Sequence, residues 1–358
     1  MILKDEAHTI KRTLNSVKGC IDRWVVVDTG STDGTKEIVK SVLKNVPGDL
    51  HEVPFIDFST TRNMAIELAG SDQEFLLMLD ADDELIGGKE LQTFLHGELQ
   101  KINPPNAYYI QLDTGVKFDS ARIIRPGKGW KYTGVVHEVI CHPTEFPAPR
   151  IPNVLIKHFP DEKGSAKTAK RWERDVILLS NELEKNPHDA RSAFYLAQTL
   201  RWLGKFKEAI PVYEHRVSLG GWWEEVYESK MALVGCRAQL GYSRPEQLLM
   251  YLDVHSQFPH RAEPLFHAAQ LCYMSQNHAM TYLYARRATE IERPKDVKLF
   301  VDEDIYKWKA HDLVAISAFY ISAFKTGENS ARIALQHNPD NERMKKNLEF
   351  YLKLIPPT

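Results

Sequence analysis

The fold of the first half of this chain is indicated by ten consecutive residues, Phe75-Leu76-Leu77-Met78-Leu79-Asp80-Ala81-Asp82-Asp83-Glu84. Five apolar side chains are followed by four acidic ones within the next five positions. The apolar run is too short for a globular helix and is typical of a strand buried on both faces, as in a parallel sheet. Because such strands present ligand-binding residues at their carboxyl ends, Asp80 and Asp82 are predicted to lie where a ligand sits.

Two carboxylates so close together repel each other unless a cation joins them. The spacing Asp-x-Asp by itself is weak evidence, since it recurs at Asp302-Glu303-Asp304, where no apolar strand precedes it. The strand context favours Asp80 and Asp82 as the functional pair, whereas a solvated acidic loop is the plain alternative.

A second strand end lies upstream. The β-rich run Trp24–Val27 stops at Asp28-Thr29-Gly30-Ser31-Thr32-Asp33-Gly34-Thr35, a segment composed of turn-forming residues. A helix starting near Thr35 would offer its N–H groups to a phosphate. The segment matches neither a Walker loop nor a dinucleotide-binding loop, so an ordinary strand-to-helix turn remains equally compatible with it.

Strand-like and helix-like segments alternate over residues 1–160, which predicts an α/β domain with a parallel-dominated sheet. From about Ser165 the pattern becomes helical and repetitive. The turn at Gly204, with Ala209 and Tyr213 after it, matches the tetratricopeptide pattern and recurs loosely at Gly241 and Asn277. We therefore predict an α/β domain over residues 1–162, a linker or lid helix over 163–184, and a tetratricopeptide-like solenoid over 185–358.

The composition is that of a globular protein, with 43% hydrophobic and 26% charged residues. The net charge of −2 disfavours nucleic acid as a partner, although a local basic face would suffice to bind it. The four cysteines lack zinc or disulfide spacing and fit a reducing cytoplasm. Because no apolar stretch of about 18 residues occurs, we expect no transmembrane segment.

Several motifs resemble, in order and spacing over roughly residues 1–175, the family 2 glycosyltransferases of GT-A fold. The motifs are Met1–Glu6, Asp28–Thr35, Arg62-Asn63, Leu79–Glu84, Trp130-x-x-x-Gly134-x-x-His137-Glu138 and Ile156-Lys157-His158. The last two resemble a branch in which tetratricopeptide-like helices follow the catalytic domain, as in the S-glycosyltransferases of glycopeptide bacteriocins. That family usually carries several apolar residues before the segment at which this chain begins, so its first strand is expected to be short.

The resemblance implies a nucleotide-sugar donor, a UDP-sugar in our interpretation, with Mn²⁺ or Mg²⁺ as cofactor. In the family the last carboxylate of Asp-x-Asp binds the metal, which makes Asp82 the primary ligand, and His158 matches a late histidine that completes the coordination. Asp83 is expected to assist. The residues expected to contact the nucleotide or its phosphates are Lys4, Glu6, Asp28, Arg62, Asn63 and Asp80.

Inverting sugar transfer needs a general base to take the proton of the acceptor. His137 and Glu138 are the candidate pair, with Glu138 preferred. If they lie on a strand, their side chains face opposite sides, so that only one reaches the site. Should neither serve, Asp113 or Asp119 would be next.

The acceptor stays open among a peptide, a glycan such as a lipopolysaccharide core, a small molecule and modified DNA, with peptide or glycan favoured. The solenoid is expected to help select the acceptor, and it offers a surface for self-association. Two other classes of protein are alternatives. A non-catalytic interaction protein with a relic catalytic domain is the main alternative, whereas a sugar-nucleotide pyrophosphorylase would carry a Gly-rich basic signature that Met1–Glu6 lacks.

Overall fold

A computed structural model describes residues 1–115, 117–147, 150–159 and 164–354, without the side chains of 164–168. The chain divides into two compact units, Met1–Lys185 and Asn186–Thr358. The helix predicted as a linker is therefore grouped with the first unit. Residues 160–163, where that segment was expected to begin, lie outside the described residues.

The first unit opens with a three-stranded parallel sheet in the order β1-β2-β3. Its first strand has only two residues, and Leu3 pairs with Asp28. The parallel register brings the loops after β1 and β2 to the same edge of the sheet. The elements are β1 (Ile2–Leu3), α1 (Ile10–Val17), β2 (Trp24–Asp28), α2 (Thr35–Val42) and β3 (Gly48–Glu52).

A second sheet of five strands has the order β4-β7-β6-β10-β5. Only β10 and β6 pair in parallel, and the other three pairings are antiparallel. The strands are β4 (Leu76–Leu77), β5 (Asp83–Ile86), β6 (Ala107–Asp113), β7 (Lys117–Ile124) and β10 (Leu155–His158).

The prediction of a parallel strand over Phe75–Leu79 was therefore wrong in two respects. The ladder covers only Leu76 and Leu77, and it runs antiparallel to β7, with Leu76 opposite Ile124. The apolar run was correctly placed in the interior, since Met78 and Leu79 are buried. An apolar run reports burial, but it carries no information about the direction of the partner strand.

Helices and one hairpin complete the first unit. The apolar faces of β6, β7 and β10 meet in a core that contains Ile110, Ile123 and Ile156, all fully buried. The remaining elements are α3 (Phe58–Ala69), α4 (Gly88–Leu99), the antiparallel hairpin β8 (Lys131–Thr133) and β9 (Val139–Cys141), and α5 (Gly164–Lys185).

The second unit is helical, and each helix packs on the helix that follows it in the chain, as in a solenoid. Gly204 and Gly241 adopt the left-handed turns that the repeat pattern predicted, and the side chain of Asn277 caps a helix by accepting the N–H of Met280. The helices are α6 (Ala190–Trp202), α7 (Phe206–Ser218), α8 (Trp223–Gln239), α9 (Arg244–Gln257), α10 (Glu263–Met274), α11 (His278–Thr289), α12 (Ala310–Ser317), α13 (Phe324–His337) and α14 (Glu342–Leu354).

The predicted fold class, an α/β domain with a mixed sheet followed by a helical solenoid, is confirmed. The expectation that parallel pairs would dominate was wrong, because four of the seven strand pairings among the described residues are antiparallel. Within the described part of the chain, every helix is too short or too polar to cross a membrane.

Candidate active site

The acidic stretch after β4 forms a tight turn. The backbone N–H of Asp80 donates to Oδ2 of Asp83 at 3.1 Å, and the backbone N–H of Asp83 donates to the carbonyl of Asp80 at 3.2 Å. The chain then continues into β5, which begins at Asp83. Asp80 and Asp82 therefore lie in the connection between two strands, with Asp83 fully buried beneath them.

Four charged side chains form a continuous network beside this turn. Arg62 donates from Nη2 to Oδ1 of Asp80 at 2.5 Å and from Nε to Oε1 of Glu138 at 2.6 Å. Arg122 donates from Nη1 to Oδ2 of Asp80 at 3.0 Å. Two guanidinium groups thus balance two carboxylates, and three elements distant in sequence are held together around Asp80.

The electrostatic consequence is clearest at Asp80. Burial alone would raise the pKa of this carboxyl, but Arg62 and Arg122 together outweigh it and hold the pKa well below its usual range. Asp80 is therefore a permanent carboxylate, with both oxygens already engaged. Removing one partner from such a network leaves an uncompensated charge, which is far more costly than losing an exposed ion pair.

A second group of side chains can hold a metal ion. Asp82, Asp83 and His158 each offer one ligand atom, and these atoms all lie within 4.8 Å of one another. The arrangement follows from the sheet, because β10 pairs antiparallel with β5 and places His158 opposite Asp83. Nδ1 of His158 lies 3.1 Å from Oδ1 of Asp83 and 3.6 Å from Oδ1 of Asp82.

The chemistry of this group fits a divalent cation. Burial raises the pKa of Asp82, and the neighbouring carboxylates of Asp80 and Asp83 raise it further, against the opposing effect of His158. The hydrogen bond to Asp83 raises the pKa of His158. Both raised pKa values reflect in part the neighbouring carboxylates, whose negative charge a cation would offset, and carboxylates are suitable ligands for Mn²⁺ or Mg²⁺. Asp82 and His158 keep 29% and 30% of their side chains exposed, which leaves room for further ligands.

Arg62 is positioned by the start of α3. Asp57 caps this helix by accepting the N–H of Thr60 at 2.7 Å, so Arg62 lies in the second turn. The next residue, Asn63, donates from Nδ2 to the carbonyl of Tyr132 at 2.9 Å and accepts the N–H of Tyr132 at 2.8 Å. Asn63 therefore ties α3 to β8 with its whole amide. Its predicted contact with the nucleotide, like that of Arg62, stays a prediction.

The sequence suggested that the candidate bases His137 and Glu138 lie on a strand, but they do not. They occupy the turn between β8 and β9, where His137 adopts a left-handed backbone conformation with φ of 52°. The reversal turns the exposed His137 outward, whereas Glu138 reaches Arg62. The expected separation of the two side chains is observed, but a turn produces it.

The loops after β1 and β2 are fastened to each other. Asp5 accepts the backbone N–H of Thr32 at 2.8 Å, and Asp33 accepts the backbone N–H of Ala7 at 3.0 Å. The predicted nucleotide-binding residue Asp28 is fully buried, and its Oδ1 accepts the N–H groups of the turn that follows it. Its Oδ2 is buried without a hydrogen-bond partner in the described structure.

The other two residues predicted to bind the nucleotide lie in the first of these loops. Lys4 is exposed, and Glu6 accepts the hydroxyl of Thr9 at 2.7 Å. Their contacts with a nucleotide stay predictions.

The chance Asp-x-Asp sequence is neutralised by a neighbouring lysine. Lys309 lies 2.8 Å from Oδ2 of Asp302 and 3.8 Å from Oδ2 of Asp304. The two copies of the motif differ in their surroundings, because among the described residues it is Asp82 that belongs to a group able to hold a metal ion. The choice of Asp80 and Asp82 as the functional pair stays a prediction.

Sequence reasoning missed Arg122 and a cavity. Arg122 lies in β7 with 12% of its side chain exposed. Because this strand also carries Lys117, Asp119 and Ser120, a charged residue at position 122 gave no sequence signal. The place of Asp83 in the metal-binding group depends on the register of β5 with β10. The cavity measures about 430 Å³ and is lined by Arg62, Asp80, Arg122 and Glu138 together with aromatic side chains from β6 to β9.

The α/β unit with an acidic turn at its sheet has the features of a GT-A-like glycosyltransferase domain. Residues 1–97 match the model of glycosyl transferase family 2, which confirms the resemblance of the first unit to this family. The SPbeta prophage-derived glycosyltransferase SunS of Bacillus subtilis is 26% identical over 290 residues, which are 79% of this chain and 68% of that protein. An uncharacterized glycosyltransferase of Rickettsia felis is 37% identical over 92 residues, covering 26% of this chain and 30% of the relative.

Solved structures similar to this chain include tetratricopeptide repeat proteins. YrrB, described as a TPR protein with an unusual peptide-binding site, is 11% identical with a TM-score of 0.39, covering 49% of this chain and 82% of that chain. A tetratricopeptide repeat protein of Parabacteroides merdae is 14% identical with a TM-score of 0.36, covering 52% and 71%.

Proposed function

We propose that this protein is a metal-dependent, inverting glycosyltransferase that transfers a sugar from a nucleotide-sugar, most simply a UDP-sugar, to a peptide or glycan. The observation that carries the proposal is the group Asp82, Asp83 and His158, whose ligand atoms lie within 4.8 Å of one another next to Asp80. The family match over residues 1–97 supplies the reaction class.

In this proposal Asp82 and His158 hold Mn²⁺ or Mg²⁺, and Asp83 positions His158 through their hydrogen bond. The chemistry that such a cation supplies is neutralisation of the negative charge on the departing diphosphate. Asp80 would contact the ribose, although both of its oxygens are also held by arginines. Asp28 fits recognition of the base or ribose because a buried carboxylate oxygen without a partner remains available.

Glu138 is the proposed general base. Arg62 donates to its Oε1 and also to Asp80, so the guanidinium links the base to the acidic turn. A base held in this way is oriented before the acceptor arrives, which is what proton transfer in the transition state requires. His137 would then have a structural role in the turn and no role in proton transfer.

The second unit is proposed to select the acceptor. Stacked helical repeats bury their shared core and leave extended surfaces for peptides or other partners. The resemblance to bacteriocin S-glycosyltransferases favours a peptide, whereas the cavity described above is suited to a glycan. Self-association through this unit and a cytoplasmic location stay predictions.

Thermal shift with UDP, GDP and CDP, each with and without Mn²⁺, tests the proposal. Specific binding stabilises the folded state by mass action, by about 2.7 kcal/mol at a ligand concentration of 100 Kd. We expect a shift that requires both the nucleotide and the metal ion, largest with UDP. No shift with any pair would favour the alternative of a non-catalytic interaction protein with a relic domain.

A further inference from the structure

The cavity of about 430 Å³ is lined by a tryptophan that the proposed reaction does not use. Trp130 lines this cavity, and only 6% of its surface is exposed. Its Nε1–H is buried and has no hydrogen-bond partner among the described residues. A buried donor is costly to leave unsatisfied, so native proteins rarely tolerate one without a reason.

The rest of the chain does satisfy a comparable group. Trp24 donates from Nε1 to the carbonyl of Val46 at 2.8 Å. The indole N–H of Trp130 differs in this respect from that of Trp24.

The surroundings of Trp130 hold the indole in one orientation. Its ring lies 5.4 Å from the ring of His142, and Nδ1 of His142 accepts the backbone N–H groups of Thr144 and Glu145 at 3.2 and 2.9 Å. Gly129 adds a close approach, because a Cβ at this position would lie 2.8 Å from Nε2 of His142. The indole is thus fixed by a neighbour that is itself fixed, as expected of a binding group built in advance.

The other residues that line the cavity indicate which chemical class of ligand it binds. Tyr109, Phe118 and Tyr132 contribute aromatic surface, and Glu138 contributes a carboxylate. A sugar ring matches this mixture, because its C–H faces pack on aromatic rings while each hydroxyl can donate to a carboxylate and accept from an N–H. The volume lies within the range of about 300–1,000 Å³ that is usual for small-molecule sites.

We propose that this cavity binds a pyranose ring and that the Nε1–H of Trp130 donates a hydrogen bond to one of its hydroxyls. Trp130 is then a specificity-determining residue for the sugar. The inference rests on the proposed glycosyltransferase function and deepens it. The same chemistry can come from two sources, the sugar carried by the nucleotide or a sugar of the acceptor, and the test below separates them.

The indole ¹H–¹⁵N resonances of the ¹⁵N-labelled full chain report the hydrogen bond directly, and Trp130→Phe identifies the peak of Trp130. Four groups of probes are titrated in turn: UDP with Mn²⁺; UDP-glucose, UDP-galactose and UDP-N-acetylglucosamine with Mn²⁺; free glucose, N-acetylglucosamine and lactose; and Ser- and Cys-containing peptides. A downfield shift of the Trp130 peak with a UDP-sugar, beyond any shift with UDP, assigns the donor sugar. A shift with a free saccharide assigns the acceptor.

The proposal is overturned if the Trp130 peak does not respond to any sugar-containing probe. It is also overturned if UDP alone gives the whole shift or if Ser- and Cys-containing peptides move the peak and sugars do not. Failure of the proposed function is a separate result, namely no nucleotide binding to the wild-type chain in the thermal-shift experiment. The free-saccharide titration then still tests the cavity.

Deoxy-sugars provide the kinetic test. For wild type, one of the deoxy analogues of the accepted sugar should lose about 10- to 100-fold in kcat/KM, whereas Trp130→Phe should handle that analogue and the parent sugar alike. Trp202→Phe, at an exposed tryptophan of α6, is the matched control and should behave as wild type. If the losses in kcat/KM caused by Trp130→Phe and by each deoxy analogue simply multiply, the proposed hydrogen bond is contradicted.

Discussion

Arg62 donates a hydrogen bond from Nε to Oε1 of Glu138 at 2.6 Å, which joins two residues 76 positions apart in the sequence. The same guanidinium holds Asp80 through Nη2. One arginine therefore sets the distance between the acidic turn after β4 and the proposed base. The integrity of the site depends on this side chain as much as on the residues that would contact substrate.

Replacing Arg62 by Met should destabilise the fold. The change leaves Asp80 and Glu138 without their shared partner in a poorly exposed site, and breaking a buried ion pair in this way costs about 3–5 kcal/mol. Urea unfolding of the full chain measures the loss. Arg150→Met is the control, because its pair with Asp119 is half exposed and should contribute at most about 1 kcal/mol. Equal effects of the two substitutions would show that the network adds nothing.

Glu138→Gln should lower turnover by about 10²–10⁴-fold while the affinity for the donor stays nearly constant. The amide preserves the shape of the side chain but cannot take a proton. Steady-state transfer kinetics together with nucleotide titration separate the two effects. His137→Ala, in the same turn but exposed, should remain active. A dead His137→Ala with a normal Glu138→Gln would reverse the assignment of the base.

Asp82→Ala should abolish metal-dependent nucleotide binding while leaving the fold intact, since Asp82 is a partly exposed turn residue. Titration calorimetry with UDP in the presence of Mn²⁺ measures the loss. Asp302→Ala provides the matched control, because this aspartate belongs to the other Asp-x-Asp sequence and is paired with Lys309. Undiminished binding by Asp82→Ala would remove this residue from the metal site.

Binding of Mn²⁺ should strengthen as the pH rises through a window above 6.5. The hydrogen bond to Asp83 raises the pKa of His158 above its ordinary value of 6.5, and His158 must lose its proton to become a ligand. Below that pKa the affinity should fall by about tenfold per pH unit. Electron paramagnetic resonance of free Mn²⁺ measures this dependence, and His158→Ala should bind weakly with a flatter profile.

The metal-free protein should show the opposite trend in stability. A raised pKa in the folded state means that the His158–Asp83 interaction stabilises the fold below pH 6.5 and is lost as the pH rises through the folded pKa. In a chelator, the melting temperature of wild type should therefore lose the contribution of this interaction as the pH rises. His158→Ala should lack that contribution at every pH. An identical pH dependence in both proteins would contradict the coupling.

Local patterns predicted the parts of the molecule that local chemistry determines. The acidic end of the Phe75–Leu79 run and the turn at Asp28 both lie close to their expected places. Strand partners were not predictable, because pairing depends on residues far apart in the chain. Asp83 gains its place in the metal group only through the register of β5 with β10.

The residues missed by sequence reasoning share this cause. Arg122 is 42 positions from the carboxylate it binds, and no local periodicity marks it. Trp130 was noticed as part of a motif, but its unpaired N–H becomes visible only when the surrounding strands are in place.

The central claim is metal-dependent sugar transfer at Asp82, Asp83 and His158. The most direct measurement is hydrolysis of a panel of UDP-sugars by the full chain, with Mn²⁺ and then with excess chelator. The account predicts release of the sugar from at least one donor in Mn²⁺, and loss of that release both in chelator and in Asp82→Ala. Hydrolysis that continues undiminished in chelator, or no hydrolysis of any donor by the wild-type chain, would contradict it.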